Sequence, residues 1–314
     1  MKCTLIINPL SGGGKSMKHF DSIIKTCRQN KLDAEYVFAS AFDTIKALSR
    51  AANLKGVDRV VAVGGDGTIN AVLNGFYDDA GKKISQSKFA VIYTGTSPDF
   101  CKSYGISIEH GEAIQSLVNG SVKKIRPGKI HFHRKNGSEG LETRYFACCV
   151  NAGIGAGIAR DANRIRKYTG DFGGTFIALL KNLLVFKSKK IFLEMDHECD
   201  CIEKTVNISI GRTPYIASGI KVQDNDILNE DHFYVLIARS LSIFNLPGLI
   251  RQIYSGKIEN REYLKLSKGM NIMLNSDEPD IEVEFDGDPA GYLPCNIELA
   301  DESIDLIYRK NFTQ

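Results

Sequence analysis

The chain has 314 residues, of which 25% are charged and 43% apolar, and its net charge is +3. This is an ordinary globular composition with room for two buried cores. So small a positive excess leaves no electrostatic footprint for nucleic acid, which is not expected as a partner. Apolar residues at the start stop at Ile7 ahead of Pro9, too early for a secretory signal segment. The most apolar stretch, Phe176–Phe186, is broken by Lys181 and Asn182 and falls short of the roughly 18 residues of a membrane span. The eight cysteines include an adjacent pair, Cys148-Cys149, and an alternating pair, Cys199-x-Cys201, but no Cys-x-x-Cys. They read as reduced thiols of a cytoplasmic protein, with any membrane contact peripheral.

In chain order, Thr4–Ile7 reads as a first strand, and a glycine-rich loop, Asn8 to Ser16, follows it. Met17, Phe20, Ile23, Ile24 and Cys27 recur at helical spacing. Glu35–Ala39, Arg59–Val63 and Phe89–Tyr93 read as further strands, with helical stripes between them, such as Ile69, Val72, Leu73 and Phe76. This alternation predicts a parallel sheet with right-handed crossovers. In such a sheet ligands gather beyond the carboxyl ends of the strands, where three of these strands end in polar or glycine-rich turns.

From about residue 128 the texture changes to short strand-like runs: Lys129–His133, Thr143–Ala147, Ile191–Met195, Thr205–Ile210, Phe233–Ala238 and Ile281–Phe285. Asn136-Gly137-Ser138 is a hairpin signal. Helical segments at Arg160–Leu184 and Ser242–Tyr254 interrupt the runs. The second half therefore reads as a mostly antiparallel β domain.

The chemistry concentrates in Gly64-Gly65-Asp66-Gly67-Thr68, set between the third strand and the helix after it. A turn of this kind leaves backbone N–H groups at a helix N-terminus, where a phosphate is the natural guest. A carboxylate about 4 Å from a phosphate charge costs on the order of 4 kcal/mol at an effective dielectric near 20. Asp66 therefore points to a cation bridging it to the phosphates, or to a proton taken from a second substrate. Both are phosphoryl transfer. Ser11-Gly12-Gly13-Gly14-Lys15-Ser16 is not a P-loop, because Pro9 stands where Gly-x-x-x-x-Gly-Lys-Ser needs its first glycine. Lys15 can still meet a phosphate. Asp99 reads as the cap of the next helix. His131 and His133 share a strand face without a third ligand, and Phe176, Ile177, Leu179, Leu180, Leu183 and Leu184 form an apolar face suited to core packing or to lining an acyl-chain cleft. Lys123, Lys124, Arg126 and Lys129, then Arg160, Arg164, Arg166 and Lys167, then Lys187, Lys189 and Lys190 read as solvated basic faces or as attraction to an anionic membrane, worth up to about 1 kcal/mol per residue.

Gly64-Gly65-Asp66-Gly67-Thr68 resembles the signature of the diacylglycerol kinase catalytic domain family. Asn8-Pro9-Leu10-Ser11-Gly12, Tyr93-Thr94-Gly95-Thr96, the loop Gly219–Val235 and Phe285-Asp286-Gly287-Asp288-Pro289 fall in that family's order. The resemblance implies an α/β nucleotide-binding domain with a parallel sheet over residues 1–127, joined by a returning strand within about 302–314 (Ser303–Tyr308). It implies a β-sandwich-like lipid-binding domain over 128–301. It further implies a lipid kinase with ATP as co-substrate and Mg2+, acting on diacylglycerol or a related lipid alcohol at a membrane surface. Nucleotide contacts would come from Asn8, Pro9, Ser11, Gly12, Lys15, Ser40, Gly64, Gly65, Gly67, Thr68, Gly95 and Thr96. Asp66 would serve the metal, with Asp66 or Asp288 as general base and Glu230 on a second, structural cation.

The chain departs from the family pattern at Tyr93, Pro98, Gly157, Gly174 and Asp288, and carries a more acidic metal loop with Asp224, Asp226, Glu230 and Asp231. Proline supplies neither a side-chain amide nor an N–H. The alternatives are an NAD kinase-type enzyme with a soluble acceptor, or a catalytically silent nucleotide- or lipid-binding protein. An edge strand offers a route to a homodimer.

Overall fold

The computed structural model describes residues 1–134, 140–216, 220–222, 231–240, 245–256, 258–278 and 280–309, with the side chains of 163, 164, 166–172, 184, 246, 253, 288 and 289 left out. The chain divides into two compact units, Met1–Arg126 with Ala300–Gln314, and Pro127–Leu299.

In the first unit the strands are β1 (Lys2–Ile7), β2 (Asp33–Phe38), β3 (Arg59–Gly64), β4 (Lys88–Tyr93) and β5 (Ser121–Ile125). The helices are α1 (Lys15–Lys18), α2 (Phe20–Gln29), α3 (Phe42–Leu54), α4 (Asp66–Asn74), α5 (Asp99–Tyr104) and α6 (His110–Asn119). β2, β1, β3 and β4 are parallel neighbours in that order. The returning strand, Ile304–Tyr308, runs parallel to β4 and antiparallel to β5, an edge strand not anticipated from the sequence. Its exposed alternate positions, Val122 and Lys124, give Ser121–Ile125 a weak apolar signal.

The central strands read as unbroken apolar runs because helices cover both faces. Leu5, Val61, Val63 and Ile92 pack with Ile23 of α2 and Ile114 of α6. On the opposite face Phe76 and Phe89 meet edge to face, with ring centroids 5.4 Å apart. The strand order reverses between β1 and β3, so the crevice expected of such a sheet opens at their carboxyl ends.

The second unit holds β6 (Gly128–His133), β7 (Glu142–Phe146), β8 (Cys149–Gly153), β9 (Lys189–Met195), β10 (Glu198–Gly211), β11 (Tyr215–Ile216), β12 (Ile220–Lys221), β13 (Phe233–Arg239), β14 (Leu264–Gly269), β15 (Ile272–Asn275), β16 (Glu282–Phe285) and β17 (Asp288–Leu299). Its helices are α7 (Gly155–Val185), longer at its start than the expected Arg160–Leu184, and α8 (Leu246–Ser255), within the expected stretch but for its last residue. Among the described residues every pairing is antiparallel. β9 pairs with both β15 and β10, so β10, β8, β16, β17, β15 and β9 close on themselves. Ile130, Phe132, Phe146, Val150, Phe233 and Phe285 fill the interior.

Along α7, Leu179 packs beside Tyr234, Leu249 and Leu264, and the Phe176 ring lies 6.5 Å from that of Tyr254, while Ile177 is exposed. The stripe is therefore core packing only in part. The turn at 136–138 and the metal-loop residues Asp224, Asp226 and Glu230 lie outside the described residues. Asp231 is exposed.

Candidate active site

Every nucleotide-site residue named from the sequence, together with Asp66, lies at the carboxyl end of β1, β2, β3 or β4, in the turn that follows it, or in the first turn of the helix after that. After β1, the Asn8 amide donates to Thr68 Oγ1 at 3.0 Å, while its carbonyl oxygen accepts from Leu10 N at 3.0 Å. One side chain thus ties the first turn to the first helical turn of α4 and also shapes its own loop. Pro9 follows at the rim, and Ser11–Gly13 forms a short 3₁₀ turn. Lys15, exposed, opens α1.

Gly12 has φ +58°, and a Cβ there would lie 2.3 Å from Thr94 O, so the loop is seated against the end of β4 in a way only glycine permits. Behind it the Ser16 and Thr94 hydroxyls share a hydrogen bond of 2.5 Å, a contact the sequence did not announce. Gly64 ends β3 beneath Thr68, and Gly65 follows as the N-cap of α4. A Cβ on Gly65 would come within 3.1 Å of the Gly95 Cα. The turns after β3 and β4 therefore touch backbone to backbone.

Asp66 is the first residue of α4, half-buried, where the helix dipole favours its charge. Gly67 beside it is exposed, with nothing within 4 Å of a would-be Cβ. Thr96 and Ser40 are exposed at the rim, after β4 and β2. Burial pushes the Cys101 thiol well above its ordinary pKa, and the carboxylates of Asp66 and Asp99 push it the same way, so the thiol stays neutral. Burial likewise lowers the pKa of His110, whose ring nitrogen lies 3.0 Å from Tyr93 O.

Asp99 does not cap α5. Pro98 is the N-cap, and Asp99 enters the first turn, where its carboxylate accepts from Ser97 Oγ at 3.0 Å. Proline's fixed φ explains the shift by one position. At Gly157, the Asn182 amide takes the space of a larger side chain, with Oδ1 2.5 Å from a would-be Cβ.

In the second unit, Asp286-Gly287 is a two-residue hairpin turn with φ of +50° and +85°, joining β16 to β17. Asp288 is the first residue of β17 and pairs with Phe285. The Asp286 carboxylate is turned inward, where it accepts Ala147 N at 2.7 Å, Cys148 N at 2.8 Å and Cys149 N at 3.2 Å. Next to it, buried Glu284 accepts from Asn151 Nδ2 at 2.7 Å and from Gly287 N at 2.5 Å. Asn207 extends the network to Asn151 Oδ1 at 3.0 Å and Ser209 Oγ at 2.9 Å. This buried polar cluster was missed from the sequence. Glu-Val-Glu-Phe reads as plain alternation, and only the neighbouring strands reveal that Glu284, on the face opposite Val283 and Phe285, is buried.

His131 is engaged by Thr143 Oγ1 at 2.8 Å and Glu298 at 3.4 Å. Several of the basic residues are likewise paired, Lys129 with Glu298, Arg160 with Glu282 and Lys189 with Glu278. No helix among the described residues is long and apolar enough to cross a membrane.

A doubly wound parallel sheet with glycine-rich turns at its switch point, followed by a closed antiparallel β unit, defines the diacylglycerol kinase/NAD kinase-like class. Residues 2–130 match the diacylglycerol kinase catalytic domain model, and residues 148–308 match that of the YegS C-terminal NAD kinase beta sandwich-like domain. A diacylglycerol kinase of Mycobacterium tuberculosis is 24% identical over 307 residues, covering 98% of this chain and 94% of that protein. One from Staphylococcus aureus is 22% identical over 308 residues, covering 97% and 91%. Among solved structures, a diacylglycerol kinase from Bacillus anthracis superposes with a TM-score of 0.73 at 18% identity, covering 99% of this chain and 98% of the other. Yeast NADH kinase complexed with NADH reaches 0.56 at 11% identity, covering 99% and 85%. The chain belongs to the diacylglycerol kinase catalytic domain family, a family of lipid kinases.

Proposed function

We propose that this protein is an ATP-dependent lipid kinase, transferring the γ-phosphoryl group to the hydroxyl of diacylglycerol or a related lipid alcohol. The observation that carries the proposal is the seating of Gly65 against Gly95 beside Asp66, with the Asn8 amide tying the β1 turn to Thr68. A floor without side chains lets a phosphate chain approach backbone, as a nucleotide requires.

Lys15 supplies a point charge to the phosphates, Ser11, Gly12 and Gly64 to Thr68 form the cradle, and Ser40, Gly95 and Thr96 border the remainder of the nucleotide. Among the described residues no three His, Cys, Asp or Glu side chains gather into a metal cage. One carboxylate at the crevice suits instead a Mg2+ held jointly by Asp66 and the phosphates, the usual manner for that ion. When bound, Mg2+ offsets the charge of the transferring group. Asp66 or Asp288 accepts the proton of the lipid hydroxyl, and Glu230 is the proposed ligand of a separate structural cation. The protein works in the cytoplasm and meets its lipid peripherally, which places it in phospholipid biosynthesis.

The test is transfer from γ-labelled ATP to a panel of lipid alcohols in detergent micelles, with NAD in parallel. A labelled lipid is expected, reduced about 100-fold or more by Asp66→Asn. Labelled NAD without labelled lipid would replace the acceptor with a soluble nucleotide. ATP binding without transfer to any member would make the chain a silent binding protein, and Pro98 the departure to revert first.

A further inference from the structure

We infer that the amino-terminal end of the parallel sheet carries a second binding site, built for a small phosphate monoester bearing free hydroxyls. The same strand that delivers Gly64 and Gly65 to the crevice begins at Arg59, five residues back, in a cleft of about 440 Å³. That volume lies within the range of small-molecule sites. Arg59, Lys88, Asp58, Ser85, Gln86 and Ser87 line it. Arg59 and Lys88 are direct neighbours across the β3–β4 register, so their side chains leave the same face of the sheet.

Among the described residues neither cation forms an ion pair. Arg50, Arg134, Arg144 and Arg160 each reach a carboxylate at 2.6–2.8 Å. Arg59 reaches none, and its Nε is buried without any hydrogen-bond partner. Burial works against its charge, offset in part by the nearby Cys3 and Asp58. A guanidinium cannot escape by losing its proton, so an unmatched, half-buried one calls for an oxyanion from outside. Its planar fork accepts two oxygens of a phosphate, and Lys88 adds a point charge beside it.

The remainder of the lining narrows the ligand. Asp58 Oδ2 accepts Lys2 N at 2.7 Å, and its Oδ1 makes no hydrogen bond among the described residues. That carboxylate repels a bare inorganic anion but accepts from a hydroxyl. Ser87 Oγ donates to Val57 O at 2.5 Å and Ser85 Oγ to Asn53 Oδ1 at 2.7 Å, which fixes the rim in place before any ligand arrives. A phosphorylated polyol matches two cations, one carboxylate acceptor and a rigid polar rim. Its source is either a soluble ester or the headgroup of a lysophospholipid. The inference does not depend on which acceptor the candidate active site serves.

Titration calorimetry with glycerol 3-phosphate, with glycerol as the uncharged control, tests it on the full chain. Binding is expected for the ester alone, weakened about tenfold by Arg59→Gln and by Lys88→Gln, and retained in Lys15→Gln. Lys88→Gln keeps the test decisive if Arg59→Gln fails to fold. A parallel flotation with vesicles carrying lysophosphatidate asks whether the headgroup is the source, and capture lost in the same two variants supports the site equally. Affinity unchanged in both variants, affinity lost only in Lys15→Gln, or no binding in either arm overturns it.

Discussion

Two turns of this chain pair an aspartate with glycine, and they put the carboxylate to opposite uses. At Gly65-Asp66-Gly67 the acid begins a helix beside a floor of bare backbone, with Gly95 within 3.1 Å of a would-be Gly65 Cβ. At Asp286-Gly287-Asp288 the first acid turns inward and accepts three consecutive backbone N–H groups from the link between β7 and β8. One turn keeps its charge at a crevice for a guest. The other spends it on the fold. Sequence likeness between acid–glycine turns therefore says little about what each carboxylate does.

The same substitution at both turns separates the two uses. Asp286→Asn keeps a residue that tolerates the +50° φ, but sets an NH₂ against buried N–H groups. A loss of about 2–4 kcal/mol is expected, since each orphaned buried donor costs about 1–3 kcal/mol. Asp66→Asn gives up the dipole contribution of a first-turn acid, about 0.3–1 kcal/mol, while phosphoryl transfer collapses. Urea midpoints of the two variants decide the matter, and equal losses of stability would erase the contrast.

What was legible beforehand follows the same divide. The strands of the parallel sheet announced themselves because both faces are covered and the residues run apolar without a break, as in Val60, Val61, Ala62 and Val63. The glycine turns were legible because a close backbone approach demands glycine, whatever the partner. Asp286 and Glu284 were not legible as buried acceptors, because the three donors to Asp286 and the Asn151 amide on Glu284 come from residues 147–151, more than 130 positions away. Asp99 was misread as a cap because Ser97-Pro98-Asp99 offers two plausible starts, and proline's φ decides between them. Arg59 read only as the first residue of a strand, and what marks it is a buried Nε with no hydrogen-bond partner among the described residues.

A second pair of substitutions asks how tightly the crevice is built. Gly12→Ala places a methyl 2.3 Å from Thr94 O at a φ of +58°. The left-handed conformation alone costs about 1–2 kcal/mol, so about 2–3 kcal/mol is expected with the clash. Gly67→Ala meets nothing within 4 Å in the first turn of α4, and should stabilise by about 0.4–1 kcal/mol. If Gly67 is open so that phosphate can approach, the variant melts later yet binds ATP more weakly. A stabilised variant with unchanged ATP affinity would detach Gly67 from the site.

The smallest effect concerns a charged group satisfied far less well than Asp286. Lys123 has one carbonyl, Tyr104 O at 2.9 Å, and two ring faces, Tyr104 and Tyr308, each 4.9 Å from its Nζ. The rings favour the ammonium, but burial outweighs them and lowers the amine to a pKa of about 8. Below that value the folded chain carries the cost of a poorly solvated charge in full. Between about 8 and the ordinary lysine range near 10.4, the unfolded chain binds the extra proton, so this group makes stability rise with pH. Buried thiols such as Cys3, pushed up to about 11, act in the opposite direction once pH passes 9, so the informative interval is pH 7.5–9. Solvent reaching the amine keeps the gain below about 1 kcal/mol. Subtracting the urea-derived stability of Lys123→Met from that of the wild type should leave a positive slope across that interval. A flat difference would mean that the two tyrosine rings solvate the ammonium as well as water does.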